Sequence, residues 1–286
     1  MTITTRIKEY SDLVKFEHSI FALPFTLSGM LLSVTNKWPE PIIFAWVIIA
    51  MVGGRTAAMA LNRIIDKNID KLNPRTENRA IPAGRIKVSK ALWLTIISLL
   101  LMILAVLQLP LICIYLLPVA IFIIIIYSYT KRFTVFSHFV LGFVLGSASI
   151  GGWLAVSGKI TLPSILWGAA ITFWVAGFDI IYSIQDEDFD KEQNLYSLPA
   201  KIGIAKSLFV SRSCHVLTVL LLFIMCFMLS TGTFIWLATL FTAVMLIYEQ
   251  SLISANDLSK VNVAFFNING FISIGFLVLT IIDKVI

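Results

Sequence analysis

The polarity of the chain changes in long blocks. Apolar runs cover residues 16–35, 42–64, 91–109, 111–129, 133–156, 161–184, 208–230, 232–252 and 263–283. Each approaches the roughly 20 residues that a helix needs to cross a bilayer. Together they predict an all-α integral membrane protein with nine transmembrane helices. The first run is the least apolar, because Lys15, Glu17 and His18 stand at its start. Only Leu109 and Pro110 separate the third run from the fourth, which predicts a tight hairpin. Pro24, Pro118 and Pro163 are expected to kink or start helices. Gly142, Gly146, Gly151 and Gly152 are expected to permit close helix packing or bending.

The segments between the runs alternate in charge. One side of the membrane receives Arg6, Lys8 and Lys15, the eight bases from Arg63 to Lys90, then Lys131 and Arg132, and further on Lys191, Lys201, Lys206, Arg212 and Lys260. The other side receives Lys37, Lys159 and Lys284. By the tendency of Lys and Arg to stay inside, the N-terminus and the loops near 62–90 and 179–206 are cytoplasmic. With nine helices the C-terminus lies outside.

Composition agrees with a membrane protein. Of the 286 residues, 58% are hydrophobic and 13% charged, about half the charged share of a soluble domain. The mean hydropathy is +0.92. The net charge of +6 does not indicate nucleic acid, because the bases lie between apolar runs and not in one patch interleaved with aromatics. Cys113, Cys214 and Cys226 lie in or beside apolar segments without C-x-x-C spacing and read as small core residues. The first residues are polar and of mixed charge, with no pattern of a cleavable signal or transit peptide.

The candidate chemistry begins at Asn62, Asp66 and Asp70. Their spacing of four stacks three oxygen-bearing side chains on one helix face, a poor packing surface but a good seat for a hard cation such as Mg²⁺. A second ladder follows at Asp179, Asp186 and Asp190, spaced seven and four. The two stretches are weakly repeated: Asp66, Asp70 and Lys71 correspond to Asp186, Asp190 and Lys191, and the tail 80–83 corresponds to 197–200. This predicts one membrane-embedded domain over 1–286, built from two related helix–loop units whose acidic ends face each other. Opposed carboxylates repel unless a cation intervenes. Lys71, Arg75, Arg79, Lys131, Arg132 and Lys191 supply the opposite charge nearby. Carboxylate, metal, phosphate and base form a consistent stack, and a pyrophosphate group fits it.

Deeper in the second run, Arg55 lies seven residues before Asn62 on the same face. It is either a clamp for an anionic substrate group or a fixed partner for Asp66 or Asp179. Tyr127 is either an interfacial anchor or a wall of the site beside Lys131. Of the histidines, only His18, next to Glu17, is kept as a site candidate. No G-x-S-x-G, H-E-x-x-H or phosphate-binding loop pattern occurs.

These residues resemble the UbiA superfamily of intramembrane prenyltransferases. Its first motif, N-x-x-x-D-x-x-x-D, is met by Asn62, Asp66 and Asp70, and its second, D-x-x-x-D, by Asp186 and Asp190 with Asp179 before them. Residues 127–132 resemble the family's Y-x-x-x-K element, and residues 72–85 look like the 4-hydroxybenzoate polyprenyltransferase branch. The segments 16–25 and 177–182 look more like a bacterial subgroup that prenylates a dihydroxynaphthoate on the way to menaquinone. The resemblance implies nine helices around a central cavity capped by cytoplasmic Asp-rich loops, in a multi-pass protein of the cell inner membrane. It implies that Asp66, Asp70, Asp186 and Asp190 are catalytic. With Asn62 they would hold Mg²⁺ on the diphosphate of a polyprenyl donor. Lys71, Arg75, Arg79, Lys131 and Lys191 would bind that diphosphate. Arg55, Asp179, Tyr127, Glu17 and His18 would form the pocket of an aromatic acid acceptor, 4-hydroxybenzoate or a dihydroxynaphthoate. The partners are those two substrates and the lipid bilayer. The reading from another class is a secondary transporter, to which the buried charges and pseudo-repeat also fit. The gathering of charge at one membrane face, leaving little for an outward gate, argues against it.

Overall fold

The structure, a computed structural model, describes residues 3–15, 19–34 and 38–286. These are almost wholly helical. A short α1 (Ile3–Val14) is followed by α2 (Ser19–Leu32), α3 (Pro41–Ile65) and a six-residue α4 (Lys67–Leu72). The hairpin predicted at Leu109-Pro110 joins α5 (Val88–Val106) to α6 (Leu111–Tyr127). A 3₁₀ turn, Thr130–Arg132, leads to α7 (Ser137–Ser157) and α8 (Leu162–Ser183). A second 3₁₀ turn, Ile184–Asp186, precedes the short α9 (Glu187–Glu192) and α10 (Leu198–Ile202). The chain ends with α11 (Ile204–Leu229), α12 (Thr233–Ser251), a π-helical turn (Val263–Ile268) and α13 (Asn269–Val285).

Every apolar run of the sequence is a helix here, but not every one is of membrane-crossing length. Among the described residues, 7 helices are long and apolar enough to cross a membrane, and Phe21–Leu32 and Leu111–Tyr127 are shorter apolar helices. The difference from the expected nine lies in the runs 16–35 and 111–129, whose described helices are shorter than the runs. Thus α6 stops at Ser128, where the chain tightens into its 3₁₀ turn. Pro24 and Pro118 lie inside α2 and α6, whereas Pro163 sits in the first turn of α8. There its missing N–H costs nothing. The same helix start is closed by a capping box: the Ser164 N–H donates to Thr161 Oγ1 at 3.4 Å, and the Thr161 N–H donates to Ser164 Oγ at 2.9 Å.

The outer surface is apolar. On α5, Leu92, Trp93, Ile97, Leu100 and Leu104 are all exposed, a continuous row suited to hydrocarbon. The centre is packed with large rings: Phe25, Trp167, Trp174 and Phe276 are essentially inaccessible and touch one another edge-on or tilted. The closest helix crossing, α7 on α8, depends on glycine. A Cβ on Gly142 would fall 2.2 Å from the Thr172 carbonyl oxygen, and one on Gly146 would fall 2.4 Å from that of Gly168. With no side chain there, the two backbones meet directly. One turn before Gly142, this crossing sets His138 of α7 against Asp179 of α8. Gly151, expected to act in the same way, faces open space.

Gly142→Ala should therefore lower the stability of the detergent-solubilised protein by about 1–3 kcal/mol through overpacking. Gly151→Ala should leave it unchanged or slightly raised. Thermal unfolding of the two variants checks this, and equal midpoints would contradict the crossing described here.

Candidate active site

Both D-x-x-x-D motifs are broken at their first aspartate. α3 ends at Ile65, Asp66 forms the junction, and α4 carries Asp70 in its first turn. Likewise the 3₁₀ turn after α8 ends at Asp186, and α9 carries Asp190 in its first turn. The backbone hydrogen bonds Asp66 N to Asn62 O (2.9 Å) and Asp70 N to Asp66 O (2.8 Å) keep the spacing of four across the first break. Asn62, Asp66 and Asp70 therefore share a face, and Asn62 Nδ2 donates to Asp66 Oδ2 at 3.0 Å.

Two buried carboxylates sit in the first motif. Asp66 is 2% exposed and Asp70 3% exposed. Burying such charges unpaired is prohibitive, so each must have a counter-charge. Asp66 is held by Lys131 Nζ at 2.7 Å and by Arg132 at 3.3 Å, both from the 3₁₀ turn after α6. Asp70 Oδ1 is held by Arg79 at 2.7 Å, while its Oδ2 is buried without a partner. The second motif is joined to the first by a direct clamp. Asn73 Nδ2 and Arg75 Nε each donate to Asp186 Oδ1 at 2.9 Å, and Arg75 also reaches Asp186 Oδ2. Burial works against the Arg75 charge. The hydrogen bond and charge of Asp186 more than offset it and hold the guanidinium above its ordinary pKa. Arg75 Nη1 also donates to the Tyr182 hydroxyl at 2.9 Å, and the guanidinium lies over the Tyr182 ring.

Bonds to backbone carbonyls draw the same loops together. Arg132 donates to the Ile65 carbonyl at 2.7 Å, and the Tyr196 N–H donates to the Lys131 carbonyl at 2.8 Å. Asp190 lies within electrostatic reach of Asp186, Lys131 and His138 and faces the Ser197 hydroxyl. Arg63, buried in the last turn of α3, feels the charges of both Asp66 and Asp70.

Deeper toward the core, Tyr127 lies within electrostatic reach of Asp66 and Asp179 on one side and of Arg63 and Arg55 on the other. It is thus near enough to both motifs to feel their charges. Arg55 donates to the Lys15 carbonyl at 3.3 Å; no ion pair with Asp66 or Asp179 is seen among the described residues. Asp179 instead pairs with His138, whose Nδ1 lies 2.7 Å from Asp179 Oδ2. The other ring nitrogen, Nε2, accepts the Leu198 N–H at 3.4 Å. That acceptor role fixes the tautomer: the proton is on Nδ1 and is donated to Asp179. His138 was passed over in the sequence because it has no ligand spacing. Its partners lie 41 and 60 residues away and meet it only through the α7–α8 crossing.

The remaining residues expected at the site have other surroundings. Lys191 turns to Glu187 of its own helix at 2.7 Å, a solvated pair one turn apart, and so is diverted from the acidic cluster. Lys71 is exposed, with no ion pair among the described residues. Glu17 and His18 lie outside the described residues. No three His, Cys, Asp or Glu side chains converge into a ready metal cage among the described residues. The donor set still suits a hard cation: it is all oxygen, and Asp70 Oδ2 is buried without a partner.

The comparisons with known proteins agree with this architecture. Residues 22–272 match the model of the UbiA prenyltransferase family. The 4-hydroxybenzoate octaprenyltransferase of Francisella tularensis subsp. novicida is 28% identical over 201 residues, 69% of this chain and 70% of that protein. The enzyme of the same name from Vesicomyosocius okutanii is 26% identical over 83% of this chain and 87% of its own. Among solved structures, the apo form of a UbiA homolog from Aeropyrum pernix K1 superposes with a TM-score of 0.85 at 33% identity, covering 93% of this chain and 98% of that one. A UbiA homolog from Archaeoglobus fulgidus bound to DMAPP and Mg²⁺ shares the fold at a TM-score of 0.79 and 18% identity, covering 97% of this chain and 99% of that one. The chain belongs to the UbiA prenyltransferase family. It is a membrane-embedded prenyltransferase, and the transporter reading falls away.

The tautomer of His138 is open to direct measurement. Nitrogen-15 NMR of labelled protein should show a neutral ring protonated on Nδ1, lost as a signal in His138→Ala. That variant also strips partners from Asp179 and the Leu198 N–H and should lose about 1–3 kcal/mol of stability. An Nε2-protonated ring would contradict the assignment.

Proposed function

We propose that the chain transfers a polyprenyl group from a polyprenyl diphosphate to an aromatic acid of the 4-hydroxybenzoate type, with Mg²⁺, at the cytoplasmic ends of its helices. The observation that carries this reading is the clamp of Asn73 and Arg75 on Asp186. It brings the two acidic motifs into one cluster, edged by Arg75, Arg79, Lys131 and Arg132. That alternation of carboxylate and base suits a bound diphosphate, with divalent cations between its oxygens and the aspartates. Asn62, Asp66 and Asp70 on one side and Asp186 and Asp190 on the other would hold Mg²⁺, which as a Lewis acid stabilises the negative charge of the departing diphosphate.

The chain's own groups do the rest. Arg79, Lys131 and Arg132, now paired to carboxylates, would turn to phosphate oxygens when the donor enters, and their charge would stabilise the leaving group. The allylic carbon–oxygen bond breaks and its electron pair leaves with the diphosphate. The ring carbon ortho to the phenol attacks the allylic carbon, and loss of the ring proton restores aromaticity. Asp179, which accepts the Nδ1 proton of His138, would accept that ring proton. Tyr127 and Arg55 would line the acceptor's pocket, Arg55 facing its carboxylate. The apolar helix faces keep water from the allylic cation. Burial of a long tail at about 0.8 kcal/mol per CH₂ accounts for a site inside a bilayer.

The name shared by the curated relatives supports 4-hydroxybenzoate as acceptor. Residues 177–182, around Asp179, support a dihydroxynaphthoate as the second reading. Nine membrane passes, counting α2 and α6, and a cytoplasmic N-terminus complete the proposal. They rest on the basic residues gathered at the Asp end.

Membranes containing the protein, given a labelled polyprenyl diphosphate and Mg²⁺, should form the prenylated product of 4-hydroxybenzoate. Asp66→Ala and Asp186→Ala should each reduce the rate by more than about 100-fold, since each removes a charge from the diphosphate site. Full activity in both purified variants would overturn the reading, and product from a dihydroxynaphthoate alone would select the second acceptor.

A further inference from the structure

Behind the Asp motifs, α12 carries a carboxyl group that the mechanism above does not use. Glu249 is 0% exposed, and neither of its oxygens receives a hydrogen bond. It faces the side-chain amide of Asn269, also 0% exposed. Asn269 opens α13 directly after the π-helical turn Val263–Ile268. A π turn breaks the regular ladder of backbone bonds and leaves carbonyls in need of donors. Asn269 Nδ2 satisfies two of them, Ala264 O at 3.0 Å and Phe265 O at 3.2 Å. Those bonds hold the amide nitrogen on the carbonyls of the π turn. They also fix which way the amide points, because its oxygen cannot face two carbonyls. What remains for Glu249 is Asn269 Oδ1, an acceptor with no other partner.

An ionised Glu249 would set acceptor against acceptor in a buried site, with no Lys or Arg paired to it among the described residues. A carboxylic acid has one O–H to donate, and that satisfies both groups at once.

We infer that Glu249 is a neutral carboxylic acid that donates to Asn269 Oδ1, and that this pair positions the second Asp motif through the π turn. The path is short. The π turn carries Phe265, whose ring stacks on Tyr182 with centroids 4.1 Å apart and planes 28° from parallel. The Tyr182 hydroxyl accepts from Arg75, and Arg75 holds Asp186. Glu249 and Asn269 touch none of the reacting atoms and are positioning residues. The protonation rests on the burial of Glu249 and on the way the Asn269 amide is turned, whereas the effect on catalysis rests on the function proposed above.

Three variants and two readouts test this. In Glu249→Gln the amide keeps an N–H for Asn269 Oδ1, so donor KM and kcat should stay within about twofold of the wild type. In Glu249→Ala and Asn269→Ala the π turn loses its tie, and kcat/KM for the donor should fall about tenfold, as when a supporting group is removed from behind a ligand. Infrared difference spectra between wild type and Glu249→Gln should show the carbonyl band of a protonated carboxylic acid at neutral pH. If that band is absent, or if Glu249→Gln is as impaired as Glu249→Ala, the residue is an ionised carboxylate with some other counter-ion and the inference fails. If Glu249→Ala keeps wild-type kinetics, the positioning role fails. The infrared band is read without substrate, so a wrong assignment of the reaction leaves that result standing.

Discussion

Everything at the basic end of this bundle follows from the need to neutralise buried carboxylates. Asp66 and Asp70 are shielded from water, and Asp186 stands opposite them. Left unpaired, such a group costs several kcal/mol. The structure meets that cost by drawing in bases from other connections: Lys131 and Arg132 from the turn after α6, Arg79 from the loop after α4, and Arg75 across to the second motif. The ion pairs therefore do two things. They compensate charge, and they tie three connections that are far apart in sequence into one assembly. In the proposed reaction the same bases serve the diphosphate, so the resting site holds its phosphate ligands ready on its own aspartates.

The helix breaks are part of the same arrangement. A straight helix through Asn62–Asp70 would carry Asp70 and the chain beyond it away from the bundle. By breaking at Asp66, the chain turns α4 and keeps Asp70 within 2.7 Å of Arg79. The second motif breaks in the same way at Asp186. Packed parts of the bundle support these helix ends. The glycine-mediated crossing of α7 and α8 sets His138 on Asp179, and the π turn before α13 stacks Phe265 on Tyr182. One support fixes a carboxylate by a 2.7 Å hydrogen bond and the other fixes a ring by stacking, and catalytic geometry depends on such positioning.

The parts of this site that were legible in the sequence are those encoded by local spacing. Asn62, Asp66 and Asp70 share a face because four residues make about one helical turn, and the apolar runs mark their helices within a few residues. The membrane class followed from the same runs. What spacing could not convey is contact across the fold. Lys131 and Lys191 look alike in sequence, but one finds Asp66 and the other finds Glu187 of its own helix. His138 has no neighbour in sequence to mark it, because Asp179 and Leu198 approach only after α7 and α8 pack. Glu249 and Asn269 read as an ordinary helix end and an ordinary polar residue, since a π turn has no periodic signature. The difference between nine apolar runs and seven full-length helices among the described residues has another cause: hydropathy averages over turns such as Ser128-Tyr129, where the helix has already stopped.

The central claim is that the two Asp motifs form a single diphosphate site, held together by the Arg75–Asp186 clamp. Its most direct measure is Mg²⁺-dependent binding of a non-hydrolysable prenyl diphosphate analogue to the wild type, Asp66→Ala, Asp186→Ala and the double variant. One shared site predicts strong coupling: each single change removes most of the binding, and the double variant is little worse than either. Losses that add independently, or binding that survives in Asp186→Ala, would show two separate acidic loops and contradict the account.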